Sequence, residues 1–252
     1  MIASLAMYDW PELRAEHDRL WGAIREALAE EGIAAPPELT RGDDLWRIWT
    51  SPGLVLGQTC GMPYRMRLHG RVEIVATPDY GLPEAPAGHY YSVLVVRRDA
   101  GGGIDAFLDG VLAFNSPDSQ SGYAAVQNQV APRAFRRFLQ TGSHRASAEA
   151  VAAGRADIAA IDAVTWRLIE RFCAGVAGEL RILARTAPTP GLPLITARGN
   201  DAPRIARAVG QAVAALAAQD RAALGLRGIE RIPTEAYLRI PTPPPAQVDA
   251  AS

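Results

Sequence analysis

Apolar residues recur along this chain in two alternating rhythms: short unbroken runs, and longer stripes spaced three and four residues apart. The runs read as buried strands. They cover 2–7, "LVLGQTC" from Leu54, "RVEIVATPDYG" from Arg71, "YYSVLVVRRD" from Tyr90, "GVLAFNS" from Gly110 and "ADIAAID" from Ala156. The stripes read as helices. The first extends to about Glu31, with Leu13, Leu20, Trp21, Ile24 and Leu28 on its apolar side. Asp9 is its expected N-cap, Pro11 lies in its first turn, and Gly32 is its expected left-handed end.

Short helices are expected over "DDLWRIWTSPG", "GMPYRMRLHG" and 104–108, and a short proline-flanked strand over 38–41. One long amphipathic helix is expected over "DAPRIARAVGQAVAALAAQ" from Asp201, and the tail "PTPPPAQVDAAS" is expected to fray. Strand and helix signals that alternate in this way predict an α/β protein built on a mainly parallel sheet.

In such a sheet, ligands gather outside the C-terminal ends of strands, where helices begin and unpaired N–H groups point outward. These junctions carry Tyr8-Asp9, Gln58-Thr59, Thr77 to Tyr80, Asn115 to Tyr123, Gly142 to Arg145, and Asp162. The stretch "AFNSPDSQSGYAAV" crowds small polar residues ahead of a helix, with Asp118, Ser119 and Ser121 as candidate caps. Gly122 would let a ligand approach the backbone. A tetrahedral oxyanion would find hydroxyl and N–H donors there, together with the positive end of a helix. "TGSHRAS" adds a second such turn, with Ser143 and His144. Asp162 reads either as a cap or as an acceptor for a ligand cation.

Composition narrows the chemistry. The 252 residues carry a formal net charge of -1 with both signs dispersed, so nucleic acid and anionic membranes are not expected partners. All 26 basic residues are arginine. That excludes a lysine Schiff base, a pyridoxal-phosphate lysine and a phosphate-loop lysine. Cys60 and Cys173 are far apart in apolar surroundings and read as reduced thiols. The histidines at 17, 69, 89 and 144 lack metal-ligand spacing, so neither metal nor cofactor is expected. No run is apolar and long enough to insert in a membrane. "MIASLAMYDWPEL" is not a secretory leader: as written the chain would be cytoplasmic, and it would be periplasmic if a leader had been removed.

Three segments, "GQTCGMPY" with "TPDYG", "PDSQSGY", and "TGSHRASAEAVAAGRADIAAIDAVTW", resemble the phosphate/phosphonate-binding receptors of ABC importers, over roughly residues 1–200. The resemblance implies the type II periplasmic-binding-protein fold, two α/β lobes around a ligand cleft joined by two crossover strands. Lobe 1 would be 1–94 with 195–252, lobe 2 would be 95–194, and the crossovers would be "SVLVVRR" and "PGLPLIT". It implies oxyanion contacts from Ser119, Gln120, Ser121, Gly122 and Tyr123, then Ser143 and His144, with Tyr8, Gln58 and Thr59 from the first lobe and Asp162 beside them. Gln120 departs from the family pattern, where a hydroxyl is expected. The implied function is capture of phosphate, a phosphonate or an organophosphate by a monomeric receptor, with an ABC permease as partner. A cytosolic anion sensor, or a small-metabolite enzyme using His144, Asp162, Cys60 or Asp79, is the alternative on the same scaffold. No acid–base pair in the sequence marks the enzyme.

Overall fold

In the computed structural model, which describes residues 1–42 and 44–246, the chain forms two compact units. One is Met1–His89 with Pro190–Arg239; the other is Tyr90–Thr189 followed by the chain from Ile240. These bounds differ from the expected lobes chiefly at the tail. Residues 240–246 belong with the second unit, where Asn128 donates to the Pro241 carbonyl at 2.9 Å and the Tyr123 hydroxyl donates to the Pro244 carbonyl. The rest of the tail, 247–252, lies outside the described residues.

From the N-terminus the elements are strand β1 (Ile2–Ser4), helices α1 (Arg14–Glu30) and α2 (Leu45–Trp49), strand β2 (Leu54–Gln58), helix α3 (Gly61–Pro63) and strand β3 (Val72–Asp79). Strand β4 (His89–Tyr90) leads into the second unit. There follow β5 (Ser92–Arg97), β6 (Val111–Phe114), α4 (Ala125–Val130), β7 (Arg137–Gln140), α5 (His144–Ala152) and β8 (Ile158–Asp162). Next come α6 (Ala163–Phe172), α7 (Ala174–Gly178) and β9 (Leu180–Arg185). Strand β10 (Thr189–Pro190) returns the chain to β11 (Leu194–Ala197), α8 (Ala202–Ala215), α9 (Ala218–Leu224), β12 (Gly228–Glu230) and α10 (Thr234–Leu238).

The first unit holds a five-stranded sheet in the order β1-β2-β11-β3-β12. β1 and β2 are parallel, but β11 runs antiparallel to β2 and β3, and β12 antiparallel to β3. The second unit repeats the scheme, in the order β7-β6-β8-β5-β9. β6 is parallel to β7 and β8, whereas β5 is antiparallel to β8 and β9. Both sheets are therefore mixed, not mainly parallel. The strand that follows each passage between units, β5 or β11, enters its sheet against the direction of its neighbours.

Helix α1 lays Leu20, Trp21, Ile24 and Leu28 on Ile205, Val209, Ala212 and Val213 of α8, in one buried cluster with Leu56 and Val75 of the sheet. Full burial of each large apolar side chain contributes about 1.5–3 kcal/mol, which ties both helices to one face. The expected helix ends hold in part. Gly32 is left-handed at φ 71°, after α1. Asp9 is not the cap: a 3₁₀ turn, Pro11–Leu13, precedes α1 and neither start carries a side-chain cap. The Asp9 carboxylate is instead taken by Arg41 Nε at 2.5 Å, with His17 Nδ1 at 3.7 Å.

Residues 38–41 form no strand, although Thr40 N donates to Ala3 O at 2.7 Å. The long helix expected from Asp201 breaks at Leu216, whose ψ is 138°. Leu216 and Leu224 both reach the core cluster, and Asp220 is held by Arg19 at 2.7 and 2.9 Å. One straight helix would carry these groups away from α1.

Candidate functional site

In the second unit, the stretch after β6 makes a wide π-type turn, Gln120–Ala124, that runs on into α4. Ser119 caps it, its Oγ accepting from Gly122 N at 2.9 Å. A hydroxyl oxygen that accepts from an N–H keeps its own proton to donate, so capping leaves Ser119 a donor. Ser121 Oγ lies 3.5 Å from Ser119 Oγ and 2.8 Å from Nε2 of His144, the first residue of α5. The Ser92 hydroxyl fixes the turn from β5 by donating to Ser121 O at 2.8 Å. Asp118 is not a cap; it accepts from the Ser116 hydroxyl at 2.5 Å.

Burial pushes the His144 pKa down to about 4, with the Ala160 carbonyl pulling the other way. The ring is therefore neutral at neutral pH. It either accepts from the Ser121 hydroxyl or donates to it, according to tautomer. Ser119, Ser121 and His144 thus form a compact donor cluster with no formal charge, beside the start of a helix. Such a cluster can hold an oxyanion through neutral hydrogen bonds and backbone dipoles.

Gly122 has a reason to be glycine within the protein itself. A Cβ built there would stand 2.0 Å from Asn115 Oδ1 and 3.2 Å from His144 Cε1. Asn115 Oδ1 is buried without a hydrogen-bond partner, and the Asn115 carbonyl accepts from Gly142 N at 3.0 Å, tying the two turns together. Asn115 stood in the stretch singled out from the sequence but not among the expected contacts. Nothing in the local pattern distinguishes it from an ordinary turn asparagine.

The other second-unit candidates take different places. Gln120 is buried in the turn. Tyr123 packs its ring against Phe114 and Phe138 at 5.6 and 5.7 Å, with its hydroxyl on the tail carbonyl of Pro244. Ser143 caps α5, accepting from Ala146 N at 3.1 Å. Asp162 is buried and caps α6, its Oδ1 accepting from Val164 N and Thr165 N at 2.7 and 3.0 Å. The cap, one of its two sequence readings, is present.

In the first unit, Tyr8 meets Tyr80 edge to face at 4.9 Å, and Gln58 donates to the Tyr80 hydroxyl at 3.4 Å. Thr59 is fully buried, its Oγ1 lacks a hydrogen-bond partner, and its N–H donates to Pro193 O at 3.0 Å. Tyr80, which the sequence places at the strand-end junction Thr77 to Tyr80, is the hub of this cluster. Gln58 and Tyr80 also line a small pocket of about 30 Å³ with His17 and the apolar faces of α1 and α8. Burial lowers the His17 pKa, while the Leu13 carbonyl, 3.1 Å from Nδ1, and Asp9 oppose it. His17 was not among the expected contacts, because its partners Leu13, Asp9 and Arg41 give no recognisable spacing.

Among the described residues no group of three or more His, Cys, Asp or Glu could hold a metal, and no helix is long and apolar enough to cross a membrane. Cys60 and Cys173 are free thiols.

Two mixed α/β units linked by repeated passages of the chain, with polar clusters at strand ends, define the type II periplasmic-binding-protein fold, which similar solved structures share. The model of the periplasmic substrate-binding proteins of ABC phosphonate transporters matches residues 56–234, and the chain belongs to that family. A binding-protein component of an ABC phosphonate transporter from Pseudomonas aeruginosa is similar at TM-score 0.70 and 19% identity, covering 95% of this chain and 83% of that one. PhnD1 from Prochlorococcus marinus, in complex with methylphosphonate, is similar at TM-score 0.67 and 13% identity, over 89% and 90% of the two chains. A Xanthomonas citri protein bound to ATP is similar at TM-score 0.67 and 19% identity, over 90% and 91%. No curated protein matches the chain.

Proposed function

We propose that this member of the phosphonate-binding family captures a phosphonate or a closely related phosphorus oxyanion, and that Ser119, Ser121 and His144 supply its principal contacts in the second unit. The observation that carries the reading is the 2.8 Å pair of Ser121 Oγ and His144 Nε2 beside the capping Ser119, an uncharged donor cluster in the segment the family resemblance marks. Hydrogen bonds to an ionised oxygen are about twice as strong as those between neutral groups, so such a cluster can bind an anion without a lysine or arginine. Gln120 and the backbone of Gly122 belong to the same turn. Tyr8, Gln58 and Thr59, gathered around Tyr80, are proposed as the first unit's contacts. Tyr123, Ser143 and Asp162 act as supports that hold the turn and the two helix starts.

The role is capture and delivery. The family consists of periplasmic substrate-binding proteins, and for this chain the receiving partner would be an ABC permease and the working compartment the periplasm. Catalysis has no comparable support, since His144 is paired with a serine that also belongs to the anion cluster and no carboxylate among the described residues is hydrogen-bonded to the ring.

A thermal-shift panel of phosphate, phosphite, methylphosphonate, ethylphosphonate and sulfate tests the reading. A ligand at a hundred times its dissociation constant stabilises the folded chain by about 2.7 kcal/mol. At least one phosphorus oxyanion should raise the melting temperature, and a panel without any rise would overturn the proposal.

A further inference from the structure

His144 joins the serine cluster through one ring nitrogen only. Nε2 lies 2.8 Å from Ser121 Oγ, while Nδ1 is buried and makes no hydrogen bond. A neutral imidazole carries a single proton, and the place of that proton decides what Ser121 can do. With the proton on Nδ1, Nε2 is an acceptor that engages the serine's own proton, and Ser121 turns a lone pair toward an arriving anion. With the proton on Nε2, the ring donates to Ser121 and the serine hydroxyl is free to donate onward. Only the second tautomer makes Ser121 a donor to an oxyanion.

Two groups of the second unit bear on that choice. The Ala160 carbonyl of β8 acts on the ring as an acceptor and favours a proton there. The Asn115 amide lies beside the ring, and its Oδ1 is also buried without a partner. A Cβ on Gly122 would stand 2.0 Å from Asn115 Oδ1 and 3.2 Å from His144 Cε1, the carbon between the two ring nitrogens, so amide and imidazole flank one point. Buried polar atoms without partners are few in folded proteins, and here two of complementary kind lie side by side. An amide has a donor end as well as an acceptor end; a carboxylate in its place could only accept, and would hold the proton on Nδ1.

We propose that Asn115 is a positioning residue for anion capture: on binding, its amide turns to donate from Nδ2 to His144 Nδ1, which keeps the ring proton on Nε2 and frees the Ser121 hydroxyl for the ligand. The inference rests on the phosphonate reading above and deepens it. The hydrogen bonds then run in one direction, from Asn115 to His144 to Ser121 to the oxyanion, with the Ser119 hydroxyl donating beside them. The ring stays neutral, since the proton that leaves Nδ1 for solvent is matched by the one that Nε2 takes up. Turning the amide breaks no hydrogen bond at Oδ1, which has none.

Nitrogen-15 NMR of the histidine side chains reads the tautomer, and the His144 signals are those lost in His144→Gln. The spectra are recorded for the full chain, free and saturated with methylphosphonate, and for Asn115→Ala under the same conditions, with affinities from calorimetry. In the saturated wild type, His144 should carry its proton on Nε2 alone. In saturated Asn115→Ala, a population protonated on Nδ1 should remain, and affinity should fall about 3- to 10-fold, the effect of one neutral hydrogen bond. Asn115→Val retains more of the side-chain volume without an amide; it should behave in the same way and covers the case in which the alanine variant fails to fold.

A saturated wild type in which Nδ1 still carries a proton would overturn the inference while leaving phosphonate capture standing. So would a folded Asn115 variant whose saturated ring is protonated on Nε2 as fully as in the wild type, whatever its affinity, or one whose tautomer shifts with no loss of affinity. If the wild type does not bind methylphosphonate or any other phosphorus oxyanion, the functional reading fails, and the inference fails with it.

Discussion

Replacing Gly122 by alanine is the most direct probe of how the Gln120–Ala124 turn is built. The added Cβ would meet Asn115 Oδ1 at 2.0 Å, well inside any real carbon–oxygen contact, and His144 Cε1 at 3.2 Å. Something must move. The nearest neighbour is an amide whose own backbone carbonyl anchors Gly142, and the next is the imidazole bonded to Ser121. Overpacking of this kind costs about 1–3 kcal/mol. At about 2–4 °C per kcal/mol for a chain of this size, the melting temperature should fall measurably.

The cause can be isolated by a double-mutant cycle with Asn115→Ala. Asn115 Oδ1 accepts no hydrogen bond, so removing it gives up none at that atom and opens the space the new methyl needs. Gly122→Ala should therefore cost less in the Asn115→Ala background than in the wild type, by about 1 kcal/mol or more in urea unfolding. The affinity for methylphosphonate should also fall in the single variant, because the displaced ring carries Ser121 with it. Equal costs in the two backgrounds would refute the steric account of Gly122.

Three further outcomes are expected. The folded-state pKa of His144 lies at about 4, below the unfolded value of 6.5. The unfolded chain thus binds the extra proton between those values and stability falls as pH drops from 6.5 to 4, so His144→Gln should flatten unfolding curves across that window and change little above it. Arg41→Met should destabilise by roughly 3 kcal/mol, since it strands the buried Asp9 carboxylate, and Asp9→Asn in the same chain should restore part of that loss in denaturant titrations. Tyr237→Phe should cost about 1–3 kcal/mol, because the fully buried Thr77 hydroxyl loses the partner that lies 2.5 Å away.

What the sequence made legible follows the range of the forces involved. Strands such as β2, β5 and β8 are apolar runs bounded by turn residues, and their existence is a local property. Their direction is not: β5 and β11 look like any buried strand, and only pairing with strands distant in sequence sets them antiparallel. Caps divide the same way. Ser119, Ser143 and Asp162 bond N–H groups two or three residues on, a range that sequence spacing can express. Asp9 has the same local signature, yet Arg41, 32 residues away, wins its carboxylate, since an ion pair in a half-buried place outcompetes a cap bond worth about 1 kcal/mol.

The site shows the same limit. Ser121 and His144 were marked by their places at strand ends and by family resemblance, but their contact spans 23 residues and depends on β6 and β7 running parallel. Asn115, Tyr80 and His17 carry weight only through partners that no short pattern connects to them. Leu216 ends a helix without glycine or proline nearby in its place, because Asp220 must meet Arg19.

The central claim, that Ser119 and Ser121 hold a phosphorus oxyanion, is tested most directly by calorimetric titration of methylphosphonate into the wild-type chain and into Ser119→Ala/Ser121→Ala, with unfolding curves of both. The account predicts that the wild type binds and that the double variant stays folded, with a loss of about 1–2 kcal/mol from the missing cap. Its affinity should fall by about 10-fold or more for each charge-assisted bond removed. A folded double variant that binds methylphosphonate as tightly as the wild type would contradict it.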